Sequence, residues 1–166
     1  MMEQSQELIK VENFDPDILL PVSILHDVGY CMVDNKNPNV KDRDSKKIHM
    51  SEGAKISVGL LKQAGFNDVK AKQISHLISM HDNWILGDSS IFKKVPEMAA
   101  FNDLDYIYPW SNIEQFTINA KSMGLTPAKA FKFWQSDEKL INRPFCCNYT
   151  ENLYEKLRHN IKNELS

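Results

Sequence analysis

Apolar residues recur at helical spacing along nearly the whole chain, and no two segments show the alternation of a strand pair. That property predicts an all-α fold. Leu8 and Val11 read as the tail of a first helix. Asp15-Pro16 makes an N-cap and first-turn pair for a second, which Ile18, Leu19, Val22 and Leu25 continue until Gly29 stops it. A third is predicted from about Ile48 to Ala64, with Gly65 as its C-cap. Asn67 or Asp68 caps a fourth, which ends near His81. A fifth is predicted from Phe92 to about Tyr108, a sixth from Ser111 or Asn112 to Gly124, and a seventh from Thr126-Pro127 with Phe131 and Trp134 on its face. Thr150 to Glu164 reads as the last. Between Cys31 and Lys47 lies a long polar stretch, of a kind that in compact domains is usually functional or disordered.

The 166 residues suit one domain, and 42% apolar with 25% charged residues is ordinary for a globular protein. A formal charge of −2 gives no reason to expect nucleic acid or an anionic membrane as partner. No apolar run approaches the roughly 20 residues of a membrane span, and MMEQSQELIKVEN is too polar for a signal peptide. Three unevenly placed cysteines fit a reduced, cytoplasmic setting; vicinal Cys146-Cys147 lacks the second pair of a zinc pattern.

The stretch "ILLPVSILHDVGYC" ends a hydrophobic run with adjacent imidazole and carboxylate groups, His26-Asp27. Alone, such a pair is most simply a polar helix end, since histidine suits the C-terminal dipole and aspartate caps the next turn. The chain repeats the device at His81-Asp82, adds His49, and carries the acidic cluster Asn102-Asp103-Leu104-Asp105 late in an apolar helix. Imidazole with carboxylate suits divalent transition ions, and two such ions sharing one carboxylate would hold a phosphate and activate water.

The segments SILHDVGY, HMSEGAKISVGLLKQAGF, ISHLISMHDNW and FNDLDYI, in this order, resemble the HD superfamily of metal-dependent phosphohydrolases over about residues 8–110. The resemblance implies a single-domain helical bundle of the HD-domain, phosphodiesterase-like type across 1–166, with helices of no assigned role over 111–166. It implies one or two divalent ions (Mn, Zn, Fe, Co, Ni or Mg) held by His26, Asp27, His49, His81 and Asp105, with Asp27 able to bridge. Asp103 is the register-shifted alternative to Asp105. Hydrolysis of a phosphate ester is implied, on a nucleotide or another small phosphorylated metabolite, with Asp27, Asp82 or Asp103 accepting the water proton. Two other classes stay open: a di-iron oxygenase on the same scaffold, and a degenerate HD domain that only binds a ligand or partner.

Two departures from the family pattern stand out. No histidine precedes His26, so either the chain begins downstream of the family's first ligand or the site lacks it. Tyr30 stands where many members carry lysine, so a cation for phosphate must come from elsewhere; Lys41, Arg43, Lys46 and Lys47 are the candidates, with Trp84 as a site-lining or base-stacking aromatic. Tyr106, Tyr108 and Trp110 have the same alternatives, core or stacking platform. His76, about 140° round its helix from His81, faces elsewhere, and His159 reads as surface.

Overall fold

The computed structural model describes residues 1–33, 43–135 and 144–166, and helix is the only regular structure among them. The chain is a single all-α domain. The helices are α1 (Met2–Glu12), α2 (Pro16–Leu25), α3 (Arg43–Gln63), α4 (Asp68–Ile78), α5 (Ser90–Lys94), α6 (Pro96–Ile107), α7 (Ile113–Ser122), α8 (Pro127–Gln135) and α9 (Asn148–Glu164).

Local chemistry sets most of these boundaries. The Asp15 carboxylate accepts from the Asp17 amide at 2.8 Å to start α2, Asn67 caps α4 through the Lys70 amide, and Asn112 caps α7 through that of Gln115. Gly65 and Gly124 adopt φ of 89° and 68° after α3 and α7, where a side chain would be strained. Two predicted boundaries move. α3 begins at Arg43 rather than near Ile48, because its polar first turn carries no apolar stripe. The predicted fifth helix is two: Val95, preceding Pro96, is extended at φ −127°, ψ 103°, and Pro96 restarts the chain as the first residue of α6.

Two apolar clusters form the interior. Leu8, Leu19, Val22, Ile74, Ile78, Phe101 and Leu104 belong to the first, drawn from α1, α2, α4 and α6. The second gathers Trp110, Phe116, Phe131, Tyr154 and Ile161 from the C-terminal half. Trp110 is its hub, within 5.1–5.7 Å of the Phe116, Phe131, Trp134 and Tyr154 rings, so its role is packing.

Asp103 joins the halves. Its Oδ2 accepts from the Cys146 amide at 2.7 Å and the Thr150 hydroxyl at 2.9 Å, at the start of α9. Replacing Asp103 with alanine leaves the Cys146 amide unmet, while the Thr150 hydroxyl keeps the Cys147 carbonyl at 3.0 Å, and should cost about 2 kcal/mol, lowering Tm by roughly 4–8 °C in a melt followed by circular dichroism.

Candidate metal centre

The two His-Asp pairs are built alike. His26 caps α2 and His81 follows α4; each donates from Nδ1 to a carbonyl three residues back, that of Ser23 at 3.2 Å and of Ile78 at 2.7 Å. A neutral imidazole that donates from Nδ1 keeps a bare lone pair on Nε2. The aspartate that follows sits in the sparsely populated bridge region, Asp27 at φ −95°, ψ 3° and Asp82 at φ −104°, ψ 11°. Each opens a 3₁₀ turn, Val28–Met32 or Asn83–Leu86.

His49 comes from α3, and glycine brings it close. A Cβ on Gly29 would lie 1.9 Å from the His49 carbonyl oxygen and 2.5 Å from the Gly53 nitrogen. Gly29 is therefore not a left-handed helix stop; it is the contact at which the turn carrying Asp27 presses on the backbone of α3. Phe101, fully buried on α6, forms a floor, its ring 4.9 Å from that of His26 and 6.0 Å from that of His81.

These elements converge on Asp27. Its Oδ1 lies 3.7 Å from His49 Nε2 and 3.8 Å from His81 Nε2, while its Oδ2 lies 3.3 Å from His26 Nε2. Asp105 Oδ1, from α6, is 3.6 Å from the same His26 nitrogen. Asp27 thus offers one oxygen to each of two histidine groups. The donor atoms of Asp27, His49 and His81 all fall within 4.8 Å of one another, close enough to share one ion.

The His49 and His81 imidazole nitrogens have the spacing of a metal-ligand pair, while Asp27 Oδ1, at 3.7–3.8 Å, lies slightly outside it. Nitrogens about 2.0–2.1 Å from one ion and roughly 95–110° apart are separated by ~3.0–3.4 Å; His49 Nε2 and His81 Nε2 are 3.1 Å apart. With no cation between them, one of these nitrogens must carry a proton. His81 already donates from Nδ1, so the proton falls to His49 Nε2, and the buried His49 Nδ1 has no hydrogen-bond partner among the described residues.

Electrostatics divide the cluster: His49 and Asp27 are shifted toward their coordinating forms, His26 and Asp105 toward their protonated forms. Burial, with the neighbouring His81 and Lys46 charges, pushes His49 down to about 4, so its ring is neutral and free to coordinate near neutral pH. Burial alone would raise the Asp27 carboxyl, but hydrogen bonds and charge from His26 and His81 outweigh it and hold it far below the usual range. Burial also opposes the His26 cation, yet Asp27 and Asp105 raise it; crowding and the other carboxylates raise Asp105.

Asp82 Oδ2 borders the cluster, 3.5 Å from His49 Nε2 and 3.7 Å from His81 Nε2, and is held by Lys46 Nζ at 2.5 Å. The other predicted contacts are dispersed. Asp103, two residues or about 200° from Asp105 on α6, points instead to the start of α9. Arg43 donates to the Leu86 carbonyl at 3.1 Å, Lys47 is exposed 3.6 Å from Asp44, and Lys41 lies outside the described residues. Trp84 is half-buried on the turn after Asp82, Tyr108 donates to Gln115, Tyr106 packs by Phe145 and Tyr154, and His76 and His159 are exposed.

Sequence reasoning missed the Lys46–Asp82 pair and the stacking of Tyr30 on His49 at 4.1 Å and 5°. Both span long separations. A partial signal existed: Lys46, His49 and Gly53, at i, i+3 and i+7, share one face of α3.

Compared with family models, curated proteins and solved structures, the chain matches none. The likeness to HD phosphohydrolases therefore rests on the sequence motifs alone.

Proposed function

We propose that the chain is an HD-type phosphohydrolase that holds two divalent ions across Asp27 and cleaves a small phosphate ester. The observation that carries the reading is the division of Asp27, one oxygen toward His49 and His81 and the other toward His26. His26, Asp27 and Asp105 would hold one ion; His49, His81 and Asp27 would hold the second. Bound there, such ions supply Lewis-acid stabilisation of phosphoryl charge and lower the pKa of water.

The chain's own groups do the rest. The Nδ1 bonds of His26 and His81 fix the rings with lone pairs inward, and the Phe101 floor limits their rotation. Asp82 borders the cluster and is the carboxylate outside the two ligand sets that could take a proton from attacking water. Lys46 supplies the cation that Tyr30 does not, at the edge of the cluster. Water or substrate oxygen would fill the remaining positions on the His26 side.

The test is metal counting by mass spectrometry after loading with Mn²⁺, followed by a panel of phosphomonoesters that includes nucleotides. The proposal expects bound metal and hydrolysis that EDTA removes and Mn²⁺ restores. Iron-dependent oxygen consumption without hydrolysis would turn the reading to a di-iron oxygenase. No metal and no turnover would leave a module that binds only a ligand or partner.

A further inference from the structure

We infer that Lys46 controls occupancy of the His49–His81 side of the centre, holding Asp82 in an ion pair that an anionic phosphate releases. The inference concerns regulation of the site proposed above and rests on that reading.

One atom carries the argument. Asp82 Oδ2 lies 3.5 Å and 3.7 Å from the two imidazole nitrogens, nearly the spacing of Asp27 Oδ1 on the same pair. It lies within reach of both imidazole nitrogens but outside the Asp27–His49–His81 group, and it is the oxygen that Lys46 holds at 2.5 Å. The Asp82 side chain is 5% exposed and that of Lys46 14%, so water screens the pair little. An ammonium bonded to a donor oxygen draws off its electron density and repels an incoming dication. Lys46 cannot leave by itself, because Asp82 would remain buried and unpaired.

Among the described basic residues at the start of α3, Lys46 is the one turned to the cluster, since Arg43 donates to Leu86 and Lys47 lies by Asp44. Its Nζ is 5.5 Å from the centroid of the Tyr30 ring, which stacks on His49, so it stays beside the site whichever anion it holds. A phosphate offers it a more highly charged partner than one carboxylate. Once Lys46 turns to phosphate, Asp82 is free to join His49, His81 and Asp27 around an ion. Linkage then requires metal and phosphate to strengthen each other by the same factor.

Calorimetric titration with Mn²⁺, with and without inorganic phosphate, tests this on wild type, Lys46→Met, Lys46→Gln and Lys46→Arg. Wild type should show one weaker site that phosphate tightens about tenfold. Lys46→Met and Lys46→Gln should tighten that site about tenfold without phosphate, and phosphate should then add nothing. Their metal-induced rise in Tm should exceed that of wild type. Lys46→Arg should keep the wild-type pattern. Unchanged or weaker Mn²⁺ binding in both neutral variants overturns the inference. So does a wild-type affinity that phosphate leaves alone, whatever the variants do. A wild type that takes up no Mn²⁺ overturns the metal centre itself, a separate outcome from binding that ignores residue 46.

Discussion

Asp27→Asn should empty the centre while leaving the fold intact. The substitution keeps the side chain's shape and removes the charge that two ions would share, and an amide nitrogen cannot coordinate where the second oxygen did. Losing even an outer partner of a metal ligand costs about 10–100-fold in affinity or activity. A ligand common to both ions should cost more, so hydrolysis should fall below detection and metal content should drop at both positions. Stability should fall only modestly, by about 1 kcal/mol, because the charge that His26 and His81 hold is lost while no apolar packing depends on a side chain that is 55% exposed. Metal counting together with a melting curve separates the two effects. An Asp27→Asn protein that keeps its full metal content would sink the bridging assignment.

Gly29→Ala should act in the opposite way, through the fold first and the site second. The added Cβ meets backbone, 1.9 Å from the His49 oxygen, 2.5 Å from the Gly53 nitrogen and 2.8 Å from the His49 carbonyl carbon. No rotamer relieves a clash with backbone, so the turn bearing Asp27 must lift off α3. The expected cost is about 3 kcal/mol or more, a fall in Tm near 10 °C. Because that turn and His49 form opposite sides of the cluster, metal affinity should fall with it. Gly59→Ala on the same helix is the control. Nothing lies within 4 Å of a Cβ there, the position is exposed, and alanine should stabilise α3 by roughly 0.5–1 kcal/mol. Equal melting points for Gly29→Ala and wild type would remove the close approach from the account.

What the sequence makes legible is local chemistry. Asp15, Asn67 and Asn112 cap because their carbonyl or carboxylate oxygens reach amides two or three residues on, which spacing alone conveys. The break at Val95-Pro96 was readable from proline but was hidden by apolar residues on both sides of it. The His-Asp pairs were visible as a pattern, whereas only the register of the family resemblance favours Asp105 over Asp103; the structure sets Asp105 Oδ1 3.6 Å from His26 and turns Asp103 to the start of α9. Three features depend on contacts between distant segments, and no periodicity encodes them. Gly29 looked like a helix stop, and only the approach of α3 shows its function. Asp103 looked like a second acid for the site until α9 was placed against it. Lys46 was one of four candidate cations, and its meeting with Asp82 crosses 36 positions of chain.

The central claim is that Asp27 stands between two ions, and anomalous diffraction from crystals soaked in Mn²⁺ tests it most directly. The account predicts two peaks about 3.5–4 Å apart, one against His26 and Asp105 and the other against His49 and His81, with Asp27 touching both. Protein that binds Mn²⁺ in solution yet shows its peaks away from Asp27 would contradict it.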